Sequence, residues 1–408
     1  MTTQPVGFNP FDPTTIADPY PAYARVLEEP NPIPADFPSA WVVSHWEDVR
    51  RILGDRSFSA DRDRATIVQI MPETTGDPEL DEKLTLFDRM LLTLDPPTHT
   101  RLRRLVGHAF TPRRIAEMEE RISVIATELV EEMREEGEGA DLVKRFAYPL
   151  PVIVISELLG LPAEDREDLK QWSDDVALLL EPLPAPDALT RFGATSDEFR
   201  AYLDHQFDHR RRHQFDDLIG ALVAARDGQD SLDDDELFAL VVLLVAAGHE
   251  TTTNLIGNSV IALTRNPDQR RRLAADPGMA LRAVEELLRY DSPVQRTSRV
   301  ATEPADFGEV TMQPGDLAVL LLGAANHDPT AFEDPGRLDL TRANASSHLS
   351  FGHGIHFCLG APLARLEGRI ALNALLAAFP NLEADVSNLA WKPSLVLRGV
   401  ESLPVFWG

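Results

Sequence analysis

Cys358 is the only cysteine in a chain of 408 residues, and it stands in the run Phe351-Gly352-His353-Gly354-Ile355-His356-Phe357-Cys358-Leu359-Gly360. This glycine-rich run leads directly into a helical pattern, Leu359 to Phe379. A thiol so placed is acidified, because the free N–H groups and aligned dipoles at a helix N-terminus stabilise the thiolate. The glycines let the backbone take positive φ and approach a flat ligand closely. A lone cysteine cannot close an internal disulfide or build a multi-cysteine zinc or iron–sulfur site, so the chain needs no oxidising compartment and reads as cytoplasmic. Outside such a setting, a single cysteine is most often a small buried apolar side chain.

Three further groups carry chemistry of their own. Ala246-Ala247-Gly248-His249-Glu250-Thr251-Thr252 lies inside a long helical pattern. Its small residues allow close approach of another body, and a Thr hydroxyl there can bond back to the i−4 carbonyl. The plain alternative is tight helix packing beside a solvated glutamate. Glu286-Leu287-Leu288-Arg289 sets a carboxylate and a guanidinium at i and i+3 on one helix face, a spacing that by itself most often makes a surface pair. Asp95 to Arg104 opens a helix in which His99 and Arg103, at i and i+4, share a face.

Taken together, these motifs resemble the cytochrome P-450 superfamily, in its bacterial form. Phe351, Gly352, Gly354, Cys358 and Gly360 match the haem-binding signature. The likeness runs from Asp18-Pro19-Tyr20-Pro21-Ala22-Tyr23 to Leu397-Arg398-Gly399-Val400, nearly the whole chain. The resemblance implies haem b (iron protoporphyrin IX) with Cys358 as axial ligand, lying between the long helix and the helix after the cysteine loop. It implies Thr251 and Glu250 as a proton-delivery pair, with Thr252 the neighbouring alternative. His99, Arg103, Arg299 and His356 match positions that hold the haem propionates, a task suited to cationic donors; His249 and His353 read as packing or solvent-facing. Glu286 and Arg289 would pair with a later arginine, for which Arg337 is the candidate. Gly336, Leu338 and His327 depart from the pattern around that arginine.

The implied reaction is hydroxylation or epoxidation of a lipophilic small molecule, such as a polyketide, macrolide or terpenoid secondary metabolite. It consumes dioxygen and two electrons. The chain has no flavin or iron–sulfur motif, so separate ferredoxin and ferredoxin reductase proteins should supply the electrons. A peroxide-using or oxidative-coupling enzyme is the alternative, and a non-enzymatic haem sensor a more distant one.

The elements that must position these groups are mainly helical, as the family's predominantly α fold with a minor β region requires. The periodicity places helices over Thr98–Ala109, from Pro112 onward, and over Asp165–Ala177, Thr190–Arg212, Asp233–Arg265, Pro267–Ala275 and Met279–Tyr290. Strand-like pieces fall at Trp41–His45, Val294–Thr302 and Val310–Leu322, and a short helix at Asp48–Leu53. No Gly/Ser linker, charge block or repeat divides the chain, so one domain with subdomains is expected over residues 1–408. Met1 to Pro13 reads as neither leader nor anchor. The apolar run Leu237 to Gly248, 12 residues, reads as buried helix, short of the ~20 a membrane span needs.

A formal net charge of −27 argues against nucleic acid and anionic membranes as general partners. Arg101, Arg104, Arg113 and Arg114 are close in sequence and read as a local cationic face for an acidic electron donor. Two lid-like segments, Asp61 to Arg89 and residues 174–191, are rich in acids. The second sets Asp174, Asp175, Glu181 and Asp187 against Arg191 alone, while Leu178, Leu179, Leu180 and Leu183 offer an apolar inner face.

Overall fold

The computed structural model describes residues 13–35, 38–69, 75–179, 181, 186–226, 228 and 230–407. The expected absence of a leader in the first twelve residues, and the lid residues Glu73, Leu180 and Leu183, lie outside them. Helices of eight or more residues are α1 (Tyr20–Leu27), α2 (Trp46–Gly54), α3 (Thr98–Ala109), α4 (Glu119–Glu135), α5 (Pro149–Leu159), α6 (Arg166–Leu178), α7 (Pro186–Arg212), α8 (Asp234–Arg265), α9 (Pro267–Ala275), α10 (Ala280–Tyr290) and α11 (Ala361–Ala378). The strands are β1 (Ile33–Pro34), β2 (Ala40–Val43), β3 (Phe58–Ser59), β4 (Gly139–Asp141), β5 (Arg296–Ala301), β6 (Ala305–Asp306), β7 (Thr311–Met312), β8 (Leu317–Leu321), β9 (Glu383–Ala384) and β10 (Pro404–Phe406).

The chain divides into two compact units. The first comprises residues 1–71, 123–149 and 251–408 and holds all the strands just named. Its largest sheet runs β1-β2-β8-β5-β3. Only β2 and β8 pair in parallel, with Trp41 opposite Ala318, and β5 runs antiparallel to β8 with Arg299 opposite Ala318. A smaller sheet, β4-β10-β9, gathers the chain's end. Val43, Ile52, Phe58, Leu320 and Leu349 form one core cluster. A second cluster packs Leu255 and Leu263 of α8 with Val284 and Leu288 of α10 and Leu372 and Leu376 of α11. Gly368 lets α11 close on its neighbours, since a Cβ there would lie 3.2 Å from Leu255 and 3.3 Å from Val284.

The second unit, residues 72–122 and 150–250, is built from helices. α8 starts in this unit on a reciprocal cap: the Asp233 carboxylate accepts from the Glu236 N–H at 2.8 Å, and Glu236 accepts from the Asp233 N–H at 3.1 Å. Acids at its first turn and Arg265 at its last complement the helix dipole. Its 32 residues give a rod of about 48 Å that ends before Asn266-Pro267. α8 is the one helix among the described residues long and apolar enough to cross a membrane, yet 67% of the apolar window is buried within the protein. That agrees with its reading as a buried helix.

Two elements differ from the sequence reading for local reasons. The stretch Val310–Leu322 splits into β7 and β8, because Gly315 takes φ +90° in the turn after Pro314. α5 was not expected, since Pro149 and Pro151 look like breakers. Both occupy its first turn, where a missing N–H costs nothing.

Candidate functional site

The cysteine loop is pinned at several points. The N–H of Cys358 donates to the Phe351 carbonyl at 2.9 Å, Gly352 N–H to Leu349 at 2.8 Å, and Phe357 N–H to Gly354 at 3.1 Å. Gly352 and Gly354 take φ of +70° and +73°. At Gly354 a Cβ would come within 2.5 Å of the Leu53 carbonyl at the end of α2, so only glycine fits there. Cys358 is half-buried, three residues before the first residue of α11, with Pro362 in that helix's first turn. A Cβ on Gly360 would stand 3.9 Å from the Cys358 sulfur, an ordinary contact.

Behind the loop lies a buried ionic network. Arg289 donates twice to the Glu286 carboxylate at 2.8 Å, and once each to the carbonyls of Asn326 and Pro335 at 2.9 Å. The second guanidinium on Glu286 is Arg342, at 3.0 and 3.1 Å. Arg337, the residue expected here, is exposed and pairs with Asp334 and Asp339. Only its backbone carbonyl enters the network, accepting from Arg342 at 3.0 Å. The two arginines are five residues apart in the same segment, and what separates them is the path of the chain, which buries Arg342 and turns Arg337 outward. Asn326 then carries the network forward. Its side chain accepts from Leu349 N–H at 2.7 Å and donates to Ser350 at 2.9 Å, immediately before the cysteine loop.

A second carboxylate, Glu285, sits beside the same loop. Arg365 reaches it at 2.5 Å and His348 at 3.3 Å, and Arg365 also lies 4.6 Å over the Phe351 ring. Burial alone would raise the Glu285 pKa, but the bonds from His348 and Arg365 outweigh it and bring the carboxyl down to about 2. His327 stacks on Tyr20 and donates from Nε2 to the Tyr290 carbonyl at 2.9 Å. Burial and then the charge of Arg289 press its pKa down to about 4, so the ring is neutral.

On α8 the side-chain exposures sort the residues of the Ala-Gly-His-Glu-Thr run. Between Leu237 and Leu263 every residue is buried except Leu243, Leu244, Ala247, Gly248, Glu250 and Thr251. Leu243, Ala247 and Thr251, spaced by four, form one accessible stripe. Thr252 is buried, 2% exposed, so the two threonines differ in access. Gly248 does not face open space: a Cβ there would touch Ile155 at 3.3 Å, so its smallness serves the packing of α5. His249 is buried as a packing residue and reaches Asp174 of α6 at 3.3 Å.

The remaining expected residues fall in both units. His99 is buried in α3 and Arg103 half-buried one turn later. Arg299 is buried in β5, and His356 is half-buried in the turn Gly354–His356 of the cysteine loop. In the first unit, Val294–Thr297 and Ser394–Val396 come together: Gln295 N–H donates to Val396 at 2.8 Å and Arg296 bonds the Leu395 carbonyl.

Two charge expectations are corrected. Arg101 is tied to Glu236 and Asp230, Arg113 to Glu117 and Arg114 to Asp216. With three of the four paired to acids, the group is not an unopposed cationic face. In the lid, Asp174 carries Lys170 as well as His249, and buried Asp175 holds Thr195 and Arg191, so Arg191 is not the sole counter-charge.

Comparison with known proteins agrees with this geometry. The family model for Cytochrome P450 matches residues 40–277 and 279–390. The vitamin D(3) 25-hydroxylase of Pseudonocardia autotrophica is 42% identical over 98% of this chain and 96% of its own. The 6-deoxyerythronolide B hydroxylase of Saccharopolyspora erythraea is 38% identical over 95% of each. The solved structure of the Bacillus subtilis bacillaene polyketide synthase cytochrome P450 PksS superposes with a TM-score of 0.88 at 37% identity, covering 98% of this chain and 100% of that one. The chain belongs to the cytochrome P450 family.

Members of the family bind haem b through a cysteine thiolate. The donor set fits: one half-buried thiol just before the N-terminus of α11, in a loop whose close approach to α2 only a glycine at 354 permits. The protein is a monooxygenase, an oxidoreductase that places one oxygen atom of dioxygen in an organic molecule.

Proposed function

We propose that this monooxygenase hydroxylates or epoxidises a neutral or cationic lipophilic metabolite of the polyketide, macrolide or terpenoid class. The observation that carries the reading is the accessible stripe of α8, where apolar Leu243 and Ala247 lead to Thr251. The likeness to a vitamin D(3) 25-hydroxylase and a 6-deoxyerythronolide B hydroxylase supports a bulky apolar substrate. Cys358 would hold the haem iron through its thiolate, and the haem, when bound, would supply the dioxygen-activating chemistry. The N-terminus of α11 keeps the thiol ionised, and the Glu286–Arg289–Arg342 network holds the loop that presents it. His99, Arg103, Arg299 and His356 supply charge-assisted donors for the two propionates. Thr251, on the accessible side of α8, donates a hydrogen bond into the site, and Glu250 beside it takes protons from water and passes them on. This pair favours dioxygen over peroxide as oxidant. Electrons come from a ferredoxin and its reductase in the cytoplasm.

Thr251→Ala is expected to retain haem and substrate binding but to divert reducing equivalents to hydrogen peroxide, lowering product formed per electron pair by roughly 10-fold or more. Thr252→Ala should stay coupled. Full coupling in the Thr251 variant would make that residue a packing element only. Cys358→Ser should abolish the red-shifted Soret band of the reduced carbon-monoxide complex.

A further inference from the structure

We infer that Asn258 of α8 is a positioning residue that sets how long a substrate the site accepts, by clamping the segment 394–399 across the end of the accessible stripe. The inference rests on the reading of that stripe as the substrate face. Leu243, Ala247 and Thr251 follow one another at spacings of four, and Asn254 and Asn258 continue the same face at three and seven residues beyond Thr251. The first three are accessible, whereas Asn254 and Asn258 are 2% and 1% exposed. What covers them is the chain at 398–399. Nδ2 of Asn258 donates to the Arg398 carbonyl at 3.0 Å and, at a longer 3.5 Å, to the Asp291 carbonyl. A Cβ on Gly399 would run into the Asn254 amide, so backbone and helix meet there without a spacer. The stripe is thus open for about two turns of α8 and then closed.

The closing segment is braced as a wall has to be. Nε of buried Arg398 meets the Asp291 carboxylate at 2.7 Å, Nη1 donates to the Ile16 carbonyl at 2.9 Å, and the guanidinium lies 3.6 Å over the Trp391 ring. The Arg398 N–H donates to Pro293 at 2.8 Å, and Val294 stands opposite Leu397 in an antiparallel bridge. Residues 293–296 and 394–398 therefore form one body, which Tyr20 of α1 steadies by donating to Asp291 at 2.6 Å. Asn258 fastens this body to the helix that also presents Thr251. The separation of hydroxyl and wall is then fixed along a single rod, about 10 Å for seven residues. Oδ1 of Asn258 is buried with no hydrogen-bond partner among the described residues. An apolar side chain would leave no such atom, so the position uses the donors of Asn258 and not its packing.

The test titrates the haem-loaded protein with two azoles that bind haem iron through a ring nitrogen, followed by the shift of the Soret band. Imidazole reaches the iron alone, whereas the aryl groups of econazole also reach the walls. Asn258→Ala should keep the spectrum of the reduced carbon-monoxide complex and the imidazole affinity of the wild type, and should tighten econazole by roughly 5-fold or more as the end of the site opens. Gly399→Ala, which presses the segment away from Asn254, should do the same, and Asn254→Ala in that background should restore the wild-type ratio. If Asn258→Ala fails to hold haem, Gly399→Ala decides alone. Leu243→Phe, which fills the stripe itself, should weaken econazole and spare imidazole. Econazole binding untouched by Leu243→Phe would remove the stripe as the ligand face, and the reading above would fall together with the clamp. A loss in Leu243→Phe beside unchanged or weaker econazole binding in Asn258→Ala and Gly399→Ala leaves the stripe standing and overturns the clamp.

Discussion

The network behind the cysteine loop and the one between the middle of α7 and the start of α8 both rely on arginines held by acids, but in opposite surroundings. Glu286 and Arg289 are fully buried and Arg342 nearly so, with their remaining donors spent on the carbonyls of Asn326, Glu333, Asp334, Pro335 and Arg337. In the helical unit, Arg200 bridges Asp204 and Asp235, and Arg89 joins Asp235 at 3.3 Å, with every partner about a third to a half exposed. The buried network fixes one geometry because each unpaired group would be costly. The exposed one is partly solvated, so losing a partner there leaves no buried charge uncompensated.

Breaking the buried network should give the largest effect. Glu286→Ala leaves two buried guanidinium groups without their carboxylate, and about 3–5 kcal/mol of stability should go, with haem retention failing alongside. Arg337→Ala removes a surface side chain and should stay within about 0.5 kcal/mol of wild type. Denaturation of the haem-loaded variants checks both. Equal losses would mean that the buried and exposed arginines of this segment are not distinguished by their burial.

That contrast also marks what the sequence made legible. The cysteine loop could be read because its glycines and its following helix are local features, and α3, α8, α9 and α10 because their periodicity is local too. Arg342 could not be read, since its burial is decided by the path of the chain through residues 326–342 and not by its sequence neighbours. The face of Gly248 escaped for the same reason: its smallness is visible in sequence, but Ile155, which it accommodates, lies on another helix. The cationic face looked unopposed because the acids that pair with Arg101 and Arg114, Glu236 and Asp216, lie more than a hundred residues away in sequence.

Two buried carboxyls of the first unit sharpen the comparison through opposite pH responses. Glu285, held at about 2 by His348 and Arg365 despite burial, contributes stability that is present above its ordinary 4.5 and is lost as pH falls toward 2. The difference corresponds to something on the order of 3 kcal/mol, so Glu285→Gln should flatten the acid limb of the stability curve. Glu367 in α11 has one carboxyl oxygen without a hydrogen-bond partner, and burial raises its pKa to about 8. There the folded state keeps its proton, so stability is lost as pH rises from 4.5 toward 8. Glu367→Gln should therefore raise the melting temperature at pH 8.5 relative to wild type and change it less at pH 5. A drop at pH 8.5 would show that the carboxylate has a partner the fold depends on.

The smallest effect belongs to the exposed network, and salt separates it from the others. Asp235 sits between Arg200 and Arg89, whose bonds hold its carboxyl below the usual range, with the direct bond from Arg200 the largest cause. Asp235→Asn keeps the shape and removes the charge, so at low ionic strength the loss should be about 0.2–1 kcal/mol. The Debye length shrinks from about 10 Å at 0.1 M to about 3 Å at 1 M, and these charges are partly exposed to it. At 1 M salt the variant and the wild type should therefore converge. Glu286→Ala should keep its full deficit under the same conditions, because ions cannot enter the space that Arg289 and Arg342 occupy. Measuring both variants across the salt series asks a single question of the two arginine networks. If the Asp235 deficit persists at 1 M, the exposed network is acting through shape, with Arg200 held 4.8 Å over the Phe238 ring as the contact to remove next.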